Sequence, residues 1–264
     1  MSCYSLPHLM LMLRRAAVLL LFFTVAHAST EPEEILLAAA ANFTAPMTAL
    51  VNNFETQTGH QIHTSFGSSG RFFAQINNGA PFQLFLSADQ DKPARLEATG
   101  HTVPGSRFTY ATGSLVLWSA NNNLHIEGPE VLQQDNFNHL AFANPRLAPY
   151  GQAALEVLEN LNLAEATRPR WVQGENIAQT FQFVSSGNAE LGFVALSQVI
   201  AHSNNGWRVP TTLHRPIQQD AVLLLPGANC QACKEFLQYL RSPQATQIIQ
   251  SFGYTTAPAT EVSE

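Results

Sequence analysis

Short apolar runs alternate with helical faces along most of this chain, and that rhythm limits its fold more than any other feature. ILLAAA (residues 35–40) has the length and continuity of a buried strand. Met47, Leu50, Val51 and Phe54 then recur at helical spacing, and Gly59 supplies a stop. QIHTSF (61–66) alternates like a strand, Phe72, Phe73 and Ile76 mark a second helical face, and QLFLSA (83–88) is a third strand. The pattern resumes with HLAFANP, a helix over Ala154, Leu155, Leu158 and Leu161, a strand at Trp171 and Val172, and a helix over Ile177, Phe181 and Val184. LGFVAL and AVLLLP follow as short apolar strands, and a helical pair broken at Ser242-Pro243 closes the chain. Alternating strands and helices predict an α/β fold with largely parallel sheets. In such sheets ligands bind outside the carboxyl ends of the strands, where loops enter helices.

Four of those junctions carry small, polar or turn-forming residues: Asn42 ahead of Pro46, Gly67-Ser68-Ser69-Gly70, Pro149-Tyr150-Gly151, and Glu175-Asn176-Ile177. A helix N-terminus has unpaired N–H donors and a partial positive charge, so each junction suits an anion. Ser and Asn are also ordinary N-caps, worth about 1 kcal/mol each. At this point both readings stand. Enzyme readings find little support. GSSGR is not G-x-S-x-G, and the histidines, among them His60, His63, His101, His125, His139, His202 and His214, form no triad pattern. No Lys follows Gly70 as a phosphate-binding loop requires, and no H-x-x-x-H spacing suggests a metal.

The first residues read as an export signal. Arg14 and Arg15 precede the apolar run AAVLLLFFTVA (16–26), and Ala26-His27-Ala28 gives an A-x-A cleavage site. The run is short of the roughly 20 residues that span a bilayer. Cleavage after Ala28 removes two arginines and no acid, moving the formal charge from −6 to −8. So acidic a chain is a poor binder of nucleic acid, which relies on basic surface. Cys3 leaves with the signal, and Cys230 and Cys233 remain. In an exported chain this pair is expected as a local disulfide clamping the start of a C-terminal helix.

From Ala38 to Asp89 the sequence resembles the periplasmic molybdate-binding proteins of ABC importers. The resemblance rests on AAAANF, on TSFGSSG, and on Gln75-Ile76-Asn77-Asn78-Gly79-Ala80-Pro81-Phe82-Gln83-Leu84-Phe85-Leu86-Ser87-Ala88-Asp89. TYATGSLVLWS, FANPRLAPYGQAALEVLENL, ELGFVALSQV and FLQYLRSPQATQIIQSFGY follow the family more loosely. The resemblance implies an α/β, two-lobed type II periplasmic binding protein fold. Each lobe would be a mixed, mostly parallel sheet flanked by helices, and the chain would cross between lobes twice. Behind a signal peptide at 1–28, lobe one would take residues 29–112 and 220–264, and lobe two residues 113–219.

It further implies a monomeric, non-enzymatic periplasmic receptor without cofactor. Such a receptor takes molybdate, and tungstate with it, to an inner-membrane ABC permease. The alternatives are another small oxyanion and a secreted serine hydrolase. Carried over by motif, the ligand contacts fall on Asn42, Ser69, Tyr150 and Ile177. The molybdenum is held only as the bound oxyanion. The family's further tyrosine falls on Ala195, and Tyr150 is the expected substitute for that phenol. Gln83 and Gln198 replace acids, and Arg71 stands where the family has a neutral residue.

Overall fold

A strand covered on both faces reads as a continuous apolar run, and β1 (Glu34–Ala40) is such a strand: Leu37 to Ala40 are all buried. The computed structural model describes residues 31–134, 136–202 and 206–256, and the signal peptide read at 1–28 lies outside them. Chain order continues with α1 (Thr44–Thr58), β2 (Gln61–Gly67), α2 (Ser69–Asn77), β3 (Leu84–Leu86), α3 (Asp91–Ala98) and β4 (Phe108–Gly113). Next come β5 (Leu115–Trp118), β6 (Leu140–Ala143), α4 (Pro149–Asn160), α5 (Ala164–Thr167), β7 (Trp171–Gly174) and α6 (Ile177–Ser185). The remainder is β8 (Leu191–Ala195), α7 (Leu196–Val199), β9 (Gly206–Arg208), β10 (Ile217–Leu223), α8 (Gln231–Leu240) and α9 (Pro243–Ser251).

These strands form two five-stranded sheets, ordered β2-β1-β3-β10-β4 and β7-β6-β8-β5-β9. Both are mixed. In the first, β1 lies parallel to β2 and β3, while β10 runs antiparallel to β3 and β4. In the second, β6 lies parallel to β7 and β8, while β5 runs antiparallel to β8 and β9. Parallel neighbours need a helical crossover, and the β-α rhythm supplies one wherever parallel pairing occurs. Residue 114 alone joins β4 in the first sheet to β5 in the second, and residues 209–216 bring the chain back to β10.

Helix α1 buries Met47, Leu50, Val51 and Phe54 on one face, the spacing that predicts it. Together with Phe236, Leu240 and Ile249 of α8 and α9 they build the first sheet's core. Phe142, Val157, Leu158 and Phe193 centre the second. Cys230 and Cys233 are joined as a disulfide at the start of α8, where Cys230 Sγ also accepts the Cys233 N–H.

The crossing at residue 114 is tight. A Cβ on Gly113 would stand 2.0 Å from the Tyr150 hydroxyl and 2.9 Å from Gln219 Nε2, so only glycine lets that phenol reach the crossing. Gly113→Ala is therefore an overpacking substitution, expected to cost about 1–3 kcal/mol in denaturant unfolding. A variant as stable as the parent would contradict the placement of the Tyr150 ring.

Candidate functional site

The strand-to-helix junctions converge between the two sheets on one small cavity. Its walls are residues 40–42 after β1, 67–69 at the start of α2, Ala88 after β3, 148–150 at the start of α4, and 176–177 at the start of α6. It is small, and no wall residue carries a charge. All four residues carried over by motif, Asn42, Ser69, Tyr150 and Ile177, are wall residues and are buried.

What each presents differs. Ser69 opens α2 and is fully buried. Its Oγ accepts the Ala88 N–H at 2.9 Å, so its own proton remains to be given. Ser68, the N-cap of α2, has a buried Oγ with no partner among the described residues. An unpaired buried hydroxyl costs about 1–3 kcal/mol, and here it lies in the cavity wall. The motif carry-over singles out Ser69 alone, but Ser68 of the same Ser-Ser pair lines the cavity beside it.

Ser69, Tyr150 and Ile177 stand in the first turns of α2, α4 and α6. Their N–H groups therefore have no acceptor inside their own helices, and they find none elsewhere among the described residues. The Asn176 side chain caps α6 by accepting from Ala178 and Gln179. That leaves the Ile177 amide unspent. Gly151 sets α4 in place: a Cβ there would lie 1.9 Å from the Ala143 carbonyl oxygen, which explains the P-x-G turn.

Asn42 is used otherwise than the resemblance implies. Its side-chain Nδ2 donates to Gln219 Oε1 at 2.8 Å and to the Tyr254 hydroxyl at 3.0 Å. Its carbonyl oxygen accepts from Tyr254 and, across the cleft, from Ser197 Oγ. Tyr110 also donates to Gln219 Oε1, and Phe43 packs edge-on between Tyr110 and Tyr254. A buried amide must be paired, and these groups behind the cavity pair it. The Tyr150 hydroxyl belongs to this region too, beside Gly113 and Gln219, and is buried without a hydrogen-bond partner among the described residues.

The other departures from the family pattern have local explanations. Gln83 Oε1 accepts the Leu36 N–H. Gln198 Oε1 accepts the Ala195 N–H, and its Nε2 donates to the Ile177 carbonyl, steadying the start of α6; a carboxylate could not make that second bond. Arg71 pairs with Glu175. Gln219, Tyr110 and Tyr254 escaped the sequence reading. Gln219 alone has a local signal, the polar run 218–220 inside β10, of which Gln219 and Asp220 are buried.

A larger groove of about 450 Å³ lies nearby, but its charged residues are each held in an ion pair, Asp91 with Arg95 outside the lining. Lys92 pairs with Asp89, and Arg215 with Glu156. Among the described residues no cluster of three or more His, Cys, Asp or Glu side chains is placed to hold a metal ion. The small cavity is thus where buried donors await an acceptor.

Burial pushes the Tyr254 phenol up to about 12, and Tyr110 and Tyr150 are raised well above the usual range for the same reason. All three are neutral donors at physiological pH. A folded-state pKa above the unfolded value near 10 gives stability that is complete below about pH 10 and lost as pH rises toward the folded value. Alkaline unfolding should accordingly set in between about pH 10 and 12, with tyrosinate absorbance appearing together with loss of helix. Ionisation of these phenols in the folded protein near pH 10 would contradict their burial.

A family profile described as bacterial extracellular solute-binding protein matches residues 35–255. The chain is 52% identical over 225 residues to the molybdate-binding protein of Azotobacter vinelandii, covering 84% of this chain and 89% of that one. An Azotobacter vinelandii periplasmic molybdate-binding protein of known structure superimposes with a TM-score of 0.82 at 39% identity, over 85% of this chain and 100% of the other. The substrate-binding domain of a Clostridium difficile putative molybdenum ABC transporter follows at TM-score 0.66 and 26% identity, over 86% and 100%.

Proposed function

Since this chain belongs to the bacterial extracellular solute-binding proteins, a family of receptors and not of enzymes, we propose that its closed cavity captures molybdate in the periplasm for an ABC importer. The observation that carries this reading is the set of unspent, uncharged donors on opposed walls. They are the N–H groups of Ser69, Tyr150 and Ile177 and the hydroxyls of Ser68 and Ser69. A tetrahedral dianion offers acceptors in several directions at once, and donors drawn from both sheets meet it from both sides. Helix N-termini stabilise its charge without a counter-ion. The relatives' names supply molybdate as the ligand and an ABC transporter as the partner. Tungstate, of the same shape and charge, belongs to the proposal, as does a monomeric receptor.

Hydrogen bonds to a charged group contribute about 1.5–3 kcal/mol each. Five contribute about 7.5–15 kcal/mol, and an ordering and closure cost of about 4 kcal/mol leaves about −4 to −11 kcal/mol, whose upper end is binding near about 10 nM. The cavity's fixed size then disfavours an oxyanion too small to reach both walls.

Isothermal titration of the chain from Ser29 should show tight binding of molybdate and of tungstate. Sulfate should bind about 100-fold more weakly or not at all, a difference of about 2.7 kcal/mol. Ser69→Ala should weaken molybdate about 10- to 100-fold, the worth of one charge-assisted hydrogen bond. Sulfate binding as tight as molybdate, or silence with both large anions, would overturn the assignment.

A further inference from the structure

We infer that Arg71 and Glu175 form an ionic latch across the lips of the cavity, setting how long the bound anion stays. The inference rests on the reading of that cavity as the ligand site. Arg71 lies in the first turn of α2 on the first sheet's side, and Glu175 lies two residues ahead of α6 on the second sheet's side. Their side chains meet at 2.5 Å, Nη1 to Oε1, although the residues are 104 apart in sequence. Both are about half exposed, outside the buried donors. Beside them the Gly70 N–H donates 2.8 Å to the Leu147 carbonyl, a backbone bond made from one half of the molecule to the other. The two contacts join segments that directly adjoin the wall residues Ser69, Ala148 and Asn176 in sequence.

The position of Arg71 is not explained by its own helix. A cation in a first helical turn opposes the helix dipole, whereas a carboxylate before α6 is favoured by it. Pairing with Glu175 also cancels the guanidinium charge, so the cavity keeps its uncharged walls. An exposed pair linking two bodies exists only when they are closed. Its modest strength therefore falls on the closed state and on ligand release. Gln179 helps hold the acidic partner in place, because its Oε1 accepts the Glu175 N–H at 2.7 Å.

The test is stopped-flow release of molybdate from the parent, Arg71→Gln, Glu175→Gln, the double variant, and the swap Arg71→Glu with Glu175→Arg. At low salt each single variant should release about two- to fivefold faster, the double no faster than either, and the swap close to the parent. The differences should vanish at about 1 M salt, where the screening length is about 3 Å. Spin labels at Ala74→Cys and Gln182→Cys give a readout that needs no ligand, with each single variant shifting the interlobe distances toward open. Unchanged release and unchanged distances would overturn the latch. So would slower association with unchanged release, which would make Arg71 a steering charge. If the parent binds no molybdate, the site reading fails, and the label distances alone judge the latch.

Discussion

Three helices begin at one cavity with first-turn N–H groups that their own hydrogen-bond ladders cannot satisfy, and the architecture around them keeps those donors buried, opposed and free of protein acceptors among the described residues. Such groups are ordinarily met by water or by a capping side chain. Here Asn176 caps α6 from beneath, satisfying Ala178 and Gln179 and sparing Ile177. Gly151 permits the α4 start to press on Ala143. The Ala88 N–H occupies the acceptor of Ser69 and so aims its proton elsewhere. Each contact takes away an alternative partner. What remains is a concentration of donors that only an acceptor-rich ion completes.

A second layer holds the two halves in register behind that cavity. Tyr254, from the end of the described chain, bridges Asn42 of one half and Ser197 of the other, while Tyr110 and Asn42 share the Gln219 carbonyl. Thr112 and Thr255 exchange backbone hydrogen bonds beside the crossing, fixing the tail against it. Buried neutral groups suit this task because a buried charge would demand its own counter-charge. Asp220 shows the alternative a few ångströms along the same strand, where Arg107, Thr109 and Gln90 are all recruited to serve one carboxylate.

Much of this was legible in the sequence because it is local. The apolar run at β1, the face of α1 and the Ser-Ser turn each announce themselves within ten residues, and the cavity walls at Ser69 and Ile177 follow from helix starts. The second layer was not legible. The partners of Asn42 Nδ2 lie 177 and 212 residues away, and Arg71 finds Glu175 across 104. No period or cap encodes such pairings; they exist once two sheets face each other. Asn42 shows the consequence: its place in the wall was readable, but the direction of its amide depended on a strand and a tail far along the chain. Tyr150 is the same case, readable as a wall residue and unreadable as a phenol turned toward Gly113.

The account's central claim is that uncharged donors from both halves hold the anion. A crystal structure of the chain from Ser29 grown with molybdate tests it most directly. The predicted result is one tetrahedral ion in the small cavity. It should be within hydrogen-bond distance of the Ser68 and Ser69 hydroxyls and of the Tyr150 and Ile177 amides, with no lysine or arginine touching it. An ion seated instead in the larger groove on Lys92 or Arg215, or held by Arg71 in place of Glu175, would contradict it.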